Sequence, residues 1–209
     1  MIYLIGGPPR VGKTILAQTF SRTHRVPWIS CDTLETIAGE YMSQSTWNRT
    51  HPYSVARRKL SHAQFYDQLS SVKIVALLRT QARATFAAIS MLVECSLQDG
   101  VDYCIEGYHI EPTTVEKLQK KFGAKHIRAV FLVKHDVAQF VRDVSVHSGP
   151  NDWLKLVDKK GVTFECVGKM VAHYSATTAK EAVSRGYAVV SVDKQFGKAQ
   201  KEALRTLYK

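Results

Sequence analysis

One stretch near the start of the chain constrains its fold more than any other. Residues 7–14 fit the pattern G-x-x-x-x-G-K-[ST] without deviation, and they follow a short apolar run at 2–5. Glycines let the backbone curl so that successive N–H groups point inward at phosphate oxygens. The pattern therefore predicts a phosphate-binding loop that connects a buried strand to a helix beginning near Lys13.

This pattern is the Walker A motif of P-loop nucleotide-binding proteins, and it predicts binding of the phosphates of a nucleotide together with Mg²⁺. We expect Lys13 to reach the β- and γ-phosphates and Thr14 to supply a hydroxyl to the metal. Arg10 is expected either to contact the nucleotide or to lie on the loop surface. The residues assigned to nucleotide binding are Gly7, Pro8, Pro9, Arg10, Val11, Gly12, Lys13, Thr14 and Ile15.

Further short apolar runs alternate with helical patterns along the rest of the chain. Strands are expected at 26–30, 101–105, 127–133 and 187–192, and helices at 112–122, 136–146, 165–185 and 198–208. Such alternation is typical of a parallel sheet covered by helices on both faces. We predict an α/β fold of the three-layer P-loop NTPase type, with a five-stranded, mostly parallel sheet.

The length of 209 residues fits one domain, residues 1–209. Residues 42–53 are expected to form a loop or short helices, and residues 54–100 two or three helices. Residues 147–163 contain Ser-Gly-Pro-Asn, which is expected to end the preceding helix, and several lysines.

Carboxylates follow two of the predicted strands. Asp32 comes directly after the second strand, and Glu106 ends the third. In parallel α/β sheets, ligands bind at the carboxyl ends of the strands. Asp32 is therefore a candidate base, metal ligand or acceptor ligand, or else the N-cap of a helix at 33–38. Glu106 is a candidate for the surroundings of Mg²⁺ or for an acceptor contact, or else an exposed carboxylate.

Three motifs carry a resemblance to a known group of proteins: I-G-G-P-P-R-V-G-K-T, W-I-S-C-D-T-L and C-I-E-G-Y-H-I-E-P. The sequence resembles P-loop kinases of the adenylate-kinase-like group. That group includes shikimate, gluconate and chloramphenicol kinases, zeta toxins and polynucleotide 5′-kinases, and the nearest resemblance is to 2-phosphoglycerate-kinase-like proteins. The resemblance implies that Asp32 is the base or a substrate ligand. It also implies that residues 40–100 form an insertion that binds the acceptor substrate, and that residues 147–163, after the fourth strand, form a lid.

Basic residues supply further candidates. Arg142, on the helix before the predicted lid, is expected to contact the transferred phosphoryl group, with Lys155, Lys159 and Lys160 as weaker candidates. Arg57 and Arg58 lie in the region that holds the acceptor in related kinases, and Arg suits bidentate contact with phosphate or carboxylate. Neighbouring residues point to different helix faces, so we expect at most one of these two to face the site. Arg79 and Arg83 share one helix face and are either pocket or surface residues.

The chain carries 29 Lys and Arg against 18 Asp and Glu, a net charge of +11, which indicates an anionic partner. No guanine-specific N-K-x-D occurs, which weakens a GTPase interpretation. No signal peptide or membrane-spanning stretch is evident, and four dispersed cysteines are typical of a reducing cytoplasm.

We therefore predict an ATP- and Mg²⁺-dependent kinase that phosphorylates the hydroxyl of a small, anionic acceptor. A polynucleotide 5′-hydroxyl kinase, with nucleic acid as the partner, is the first alternative. A zeta-toxin-like or other nucleotide-binding protein outside metabolism is the second.

Overall fold

The computed structural model describes residues 1–147, Leu154 and residues 162–208. Its centre is a five-stranded sheet in the order β2–β3–β1–β4–β5, and every neighbouring pair of strands runs parallel. The strands are β1 (Ile2–Gly6), β2 (Trp28–Ser30), β3 (Tyr103–Glu106), β4 (Ile127–Val133) and β5 (Ala188–Ser191). The predicted α/β fold with a parallel five-stranded sheet is confirmed.

The described helices connect these strands. They are α1 (Lys13–His24), α2 (Cys31–Glu40), α3 (Gln44–Thr50), α4 (Pro52–Arg58), α5 (His62–Gln68), α6 (Ser71–Ala84), α7 (Phe86–Gln98), α8 (Pro112–Phe122), α9 (Val137–His147), α10 (Val162–Ser184) and α11 (Phe196–Tyr208). A 3₁₀ turn, Ala124–His126, leads from α8 into β4. Within the described residues, no helix is long and apolar enough to cross a membrane.

The sheet is apolar on both faces because both are covered. In β1, Tyr3 and Ile5 belong to one hydrophobic cluster, while Ile2 and Leu4 belong to another. The first cluster includes residues of α1, α5, α6, α9, α10 and α11, and the second mainly residues of α2, α7 and α8. A strand buried on both sides gives a continuous apolar run, which explains the sequence pattern of β1 and β4.

The region between β2 and β3 is divided more finely than the sequence predicts. Residues 42–53 do form short helices, but 54–100 contains parts of four helices rather than two or three. The reason lies in local capping. Ser61 accepts a hydrogen bond from Gln64 N at the start of α5, and Ser70 accepts one from Lys73 N at the start of α6. Serine at these positions ends one helix and begins the next.

The register of the sheet brings the predicted site together. Glu106, the last residue of β3, is paired with Ile5 of β1 on one side and with Ser30 of β2 on the other. The carboxyl ends of the three strands therefore meet at one edge, with the glycine-rich loop, Asp32 and Glu106 beside one another. Most of the predicted lid, 147–163, lies outside the described residues, and so do Lys155, Lys159 and Lys160.

Candidate active site

The glycine-rich loop has the backbone that its sequence requires. Gly7 has φ of +127° and Gly12 has φ of +87°, a region that side chains with a Cβ rarely adopt. A Cβ at Gly7 would collide with the carbonyl oxygen of Leu132, and one at Gly12 would lie 2.6 Å from the Phe196 ring. The loop therefore curls in contact with β4 and α11, and neither glycine tolerates replacement without strain.

Lys13 lies inside this curl at the first turn of α1. Its side chain is buried, and Nζ donates a hydrogen bond of 2.7 Å to the carbonyl oxygen of Pro8. Burial lowers the pKa of Lys13, and the nearby carboxylates of Glu106 and Asp32 oppose that shift. A desolvated ammonium held among backbone groups is suited to a phosphate, which offers it a charged partner.

Thr14 and Glu106 form the centre of the predicted metal site. The Thr14 hydroxyl donates a 2.9 Å hydrogen bond to Glu106 Oε1. Only 3% of Glu106 is exposed, so the alternative of an exposed carboxylate at a strand end is wrong. Hydroxyl and carboxylate oxygens are the hard donors that Mg²⁺ prefers, so these two residues fit that ion.

Asp32 lies in the first turn of α2 rather than at its N-cap. The N-cap is Ser30, whose hydroxyl accepts a 3.2 Å hydrogen bond from the backbone N–H of Asp32. The alternative that Asp32 caps a helix at 33–38 is therefore wrong, because the helix begins at Cys31. The Asp32 side chain is 73% exposed and borders the cavity in front of the loop. It is thus available to a ligand.

A cavity of about 600 Å³ connects the loop to the helices between β2 and β3. The loop side contributes Pro9, Arg10, Lys13, Thr14, Asp32, Glu35, Glu106 and Gly107. The opposite side contributes Tyr53, Ser54, Arg57, Arg58, Tyr66, Leu78, Gln81, Tyr108, Val167 and Met170. A phosphate-binding loop and a second polar wall therefore face one another across a space large enough for a small molecule.

Both Arg57 and Arg58 line this cavity, so the expectation that at most one faces the site is wrong. Both arginines lie in the last turn of the short helix α4. Arg57 is half-buried and lies 5.5 Å from the centre of the Phe65 ring. Arg58 is exposed and lies 5.9 Å from the Trp47 ring.

Two tyrosine hydroxyls accompany the arginines. Tyr53 and Tyr66 share a 3.0 Å hydrogen bond between their hydroxyl groups. Burial raises the pKa of Tyr53, and the charge of Arg57 partly offsets that effect. Burial also raises the pKa of Tyr66. Both tyrosines therefore stay neutral and can donate hydrogen bonds, which makes this wall suitable for a polar or anionic ligand.

Other predicted basic residues lie outside the cavity lining. Arg142 is exposed on α9, and its Nη2 donates a 2.9 Å hydrogen bond to Gln139. Arg79, on α6, forms ion pairs with Glu111, which precedes α8, and with Glu181 on α10. Its Nε lies 2.6 Å from Glu111 Oε1, and its Nη1 lies 2.8 Å from Glu181 Oε1. Arg83, on the same helix, is exposed.

Several cavity residues are absent from the sequence prediction. Glu35 follows Asp32 by one helical turn, and a second carboxylate at that spacing was the available signal. Tyr53, Gln81 and Tyr108 come from separate elements, and no motif links them. Gln81 Nε2 donates a 3.2 Å hydrogen bond to the Tyr108 hydroxyl, an arrangement that only the fold creates.

Comparison with solved structures identifies similar folds. A sugar kinase from Janibacter sp. HTCC2649 superposes with a TM-score of 0.59 at 12% identity, over 99% of this chain and 94% of that one. A gluconokinase from Sinorhizobium meliloti 1021 superposes with a TM-score of 0.55 at 13% identity, over 99% of this chain and 90% of that one. A shikimate kinase from Bacteroides thetaiotaomicron superposes with a TM-score of 0.51 at 13% identity, over 98% of this chain and 94% of that one.

No protein-family model matches the sequence, and a search of curated proteins gives no significant match. At identities of 12–13%, the structural likeness concerns the fold. The resemblance to small-molecule P-loop kinases is confirmed at that level. The chain has the three-layer α/β fold that these kinases share.

Proposed function

We propose that this protein transfers the γ-phosphoryl group of ATP to a hydroxyl group of a small, anionic acceptor. One observation carries the proposal: the phosphate-binding loop and a wall with two arginines face each other across a single cavity of about 600 Å³. The fold shared with a sugar kinase, a gluconokinase and a shikimate kinase supports the same reaction class.

In this proposal, the loop holds the ATP phosphates through its backbone N–H groups and Lys13. Phosphoryl transfer depends on positioning and on neutralising charge, and a buried ammonium at the loop serves both purposes. Thr14 and Glu106 would hold Mg²⁺, with Asp32 near them. When bound, Mg²⁺ would neutralise phosphate charge. Arg142 is the proposed contact to the transferred phosphoryl group from the α9 side.

The acceptor would lie between Asp32 and the two arginines. The exposed Asp32 carboxylate is the proposed base, accepting the proton of the attacking hydroxyl. Arg57 and Arg58 would bind the anionic end of the acceptor, while Glu106 would contact it from the β3 side. We accordingly assign residues 40–100 to acceptor binding within a single domain of residues 1–209.

A polynucleotide 5′-hydroxyl kinase is the second candidate, and the net charge of +11 favours it. Part of this charge lies on α11, where Lys198, Lys201 and Arg205 border a shallow groove. A basic groove would give a strongly salt-dependent affinity for nucleic acid. A zeta-toxin-like function outside metabolism is a third candidate, without an observation of its own in the structure.

The cytoplasm is the compartment we propose. All four cysteines are free thiols, as a reducing environment favours.

A screen of ATP turnover separates these candidates. Purified protein with ATP and Mg²⁺ is tested against sugar acids, other hydroxy acids, nucleosides and 5′-hydroxyl oligonucleotides. We expect turnover with a small hydroxy acid that Arg57→Met weakens through a higher KM. Turnover with oligonucleotides alone would overturn the small-molecule proposal, and no turnover with any hydroxyl compound would overturn the kinase proposal.

A further inference from the structure

A buried histidine next to Asp32 has an arrangement that the proposed kinase chemistry does not use. His109 is 0% exposed, and neither of its ring nitrogens has a hydrogen-bond partner within the described part of the chain. A buried imidazole always carries at least one N–H, and leaving it without a partner is costly. Both nitrogens point at carboxylates: Nδ1 lies 3.9 Å from Asp32 Oδ1 and Nε2 lies 3.5 Å from Glu35 Oε2.

Both separations are too long for hydrogen bonds, and a single ion would bind only one of the two ring nitrogens. An N–H···O hydrogen bond spans about 2.7–3.2 Å. Nitrogen and oxygen donors lie about 2.1 Å from a Zn²⁺-like ion, which places two tetrahedral donors about 3.4 Å apart. One donor atom from each of Asp32, Glu35 and His109 can be chosen so that all lie within 4.8 Å of one another. Small side-chain movements would therefore complete the set.

The second oxygen of the Glu35 carboxylate lies near a further histidine. Glu35 Oε1 is buried without a hydrogen-bond partner among the described residues, and it lies 3.5 Å from Nε2 of the buried His51. His51 is itself fixed, since it stacks on Trp47 at 3.6 Å and its Nδ1 lies 2.8 Å from the Thr50 hydroxyl. Each Glu35 carboxylate oxygen thus lies 3.5 Å from Nε2 of a different buried histidine, His109 or His51.

We propose that Asp32, Glu35 and His109 bind a divalent transition-metal ion, separately from the Mg²⁺ proposed at Thr14 and Glu106. Asp32 and Glu35 both border the cavity, so water or a ligand in the cavity can complete the coordination. The imidazole decides the class of ion. Nitrogen donors suit Zn²⁺, Co²⁺, Ni²⁺ and similar ions, whereas Mg²⁺ prefers oxygen donors alone.

The site is tested by titrating the nucleotide-free, full-length protein with Co²⁺ alone and following its visible absorption and calorimetric heat. We expect one equivalent to bind and excess Mg²⁺ not to displace it. Asp32→Asn, Glu35→Gln and His109→Gln should each weaken Co²⁺ binding at least about 10-fold, the lower limit for losing even an outer partner of a metal site. Asp32 is exposed, so Asp32→Asn keeps the test valid even if Glu35→Gln and His109→Gln do not fold.

Glu40→Gln is the matched control, because Glu40 is an exposed carboxylate on the same helix and should leave Co²⁺ binding unchanged. A His109 that only packs between the two carboxylates, without a metal, predicts no Co²⁺ binding. Absence of binding, full displacement by Mg²⁺, or binding that survives Asp32→Asn and Glu35→Gln would overturn the proposal.

Discussion

The two walls of the cavity differ in how their residues are arranged along the chain. The loop wall takes four of its residues from the continuous stretch 7–14 and the rest from α2 and the end of β3, whereas the opposite wall draws on α4, α5, α6, α10 and the segment after β3. In the loop, phosphate would be held mainly by backbone N–H groups, so the chemistry fixes the order of glycines in the sequence. On the other wall, a ligand would be held by side chains from separate elements, so no fixed spacing between these residues in the sequence is required.

Lys13→Ala tests the loop wall and should have the largest effect. Lys13 is the buried cation of the loop, and losing one preorganised donor to a transition state costs about 10²–10³-fold in rate. We expect nucleotide binding or turnover to be lost, by at least that factor, in calorimetric titration with ATP and in turnover assays. Lys73→Ala, an exposed lysine on α6, is the control and should behave as the wild type. Unchanged binding and turnover in Lys13→Ala would refute the nucleotide site itself.

Asp32→Asn tests the point where the two walls meet. Loss of a general base costs about 10²–10⁴-fold in rate, and the amide keeps the size of the side chain. Turnover of the acceptor found in the screen should fall by that range, while ATP affinity stays within about threefold because the loop is untouched. A loss of ATP affinity that parallels the loss of turnover would instead place Asp32 with the nucleotide and its metal.

The same contrast explains what the sequence predicted well. Local patterns predict the loop, all five strands, and Asp32 and Glu106 at strand ends. The structure places the loop and these two carboxylates at one edge of the sheet. The number of helices in 54–100 depends on helix caps. The presence of both Arg57 and Arg58 in the cavity lining depends on tertiary packing. Glu35 and His109 become neighbours only because β3 lies beside β2, which no local pattern encodes.

Arg79→Met tests how far an ion-pair anchor outside the cavity lining stabilises the wall opposite the loop. Arg79 joins Glu111, which is 4% exposed, to Glu181 on α10. Removing one partner of a buried pair costs about 3–5 kcal/mol, and the partial exposure of Arg79 reduces this to about 2 kcal/mol. Chemical denaturation should show that loss. Arg83→Met, at an exposed site on the same helix, should stay within about 0.5 kcal/mol of the wild type.

The Arg79→Met effect should also depend on pH. Burial raises the pKa of Glu111, and Arg79 partly counteracts that rise. A carboxyl group whose pKa is raised by folding binds its proton more tightly in the folded state, so the free energy of unfolding falls as pH rises through that pKa. Without Arg79 the pKa rises further, and the variant should lose more stability near pH 7 than at about pH 4–5. An equal loss at both pH values would assign Arg79 a packing role only.

Ser30→Ala is expected to have the smallest effect, and it separates the support of Asp32 from its chemistry. Ser30 caps α2 through the N–H of Asp32, and losing such a cap costs about 1 kcal/mol. Ser43→Ala removes the equivalent cap of α3, where Ser43 accepts a hydrogen bond from Thr46 N, so it should cost about the same.

If Asp32 is the base, Ser30→Ala should also lower turnover, by less than about tenfold, because the Asp32 carboxylate loses part of its positioning. Ser43→Ala should leave turnover unchanged. Equal turnover in the two variants would show that the cap fixes the helix without fixing the carboxylate, and that Asp32 is held by its other neighbours.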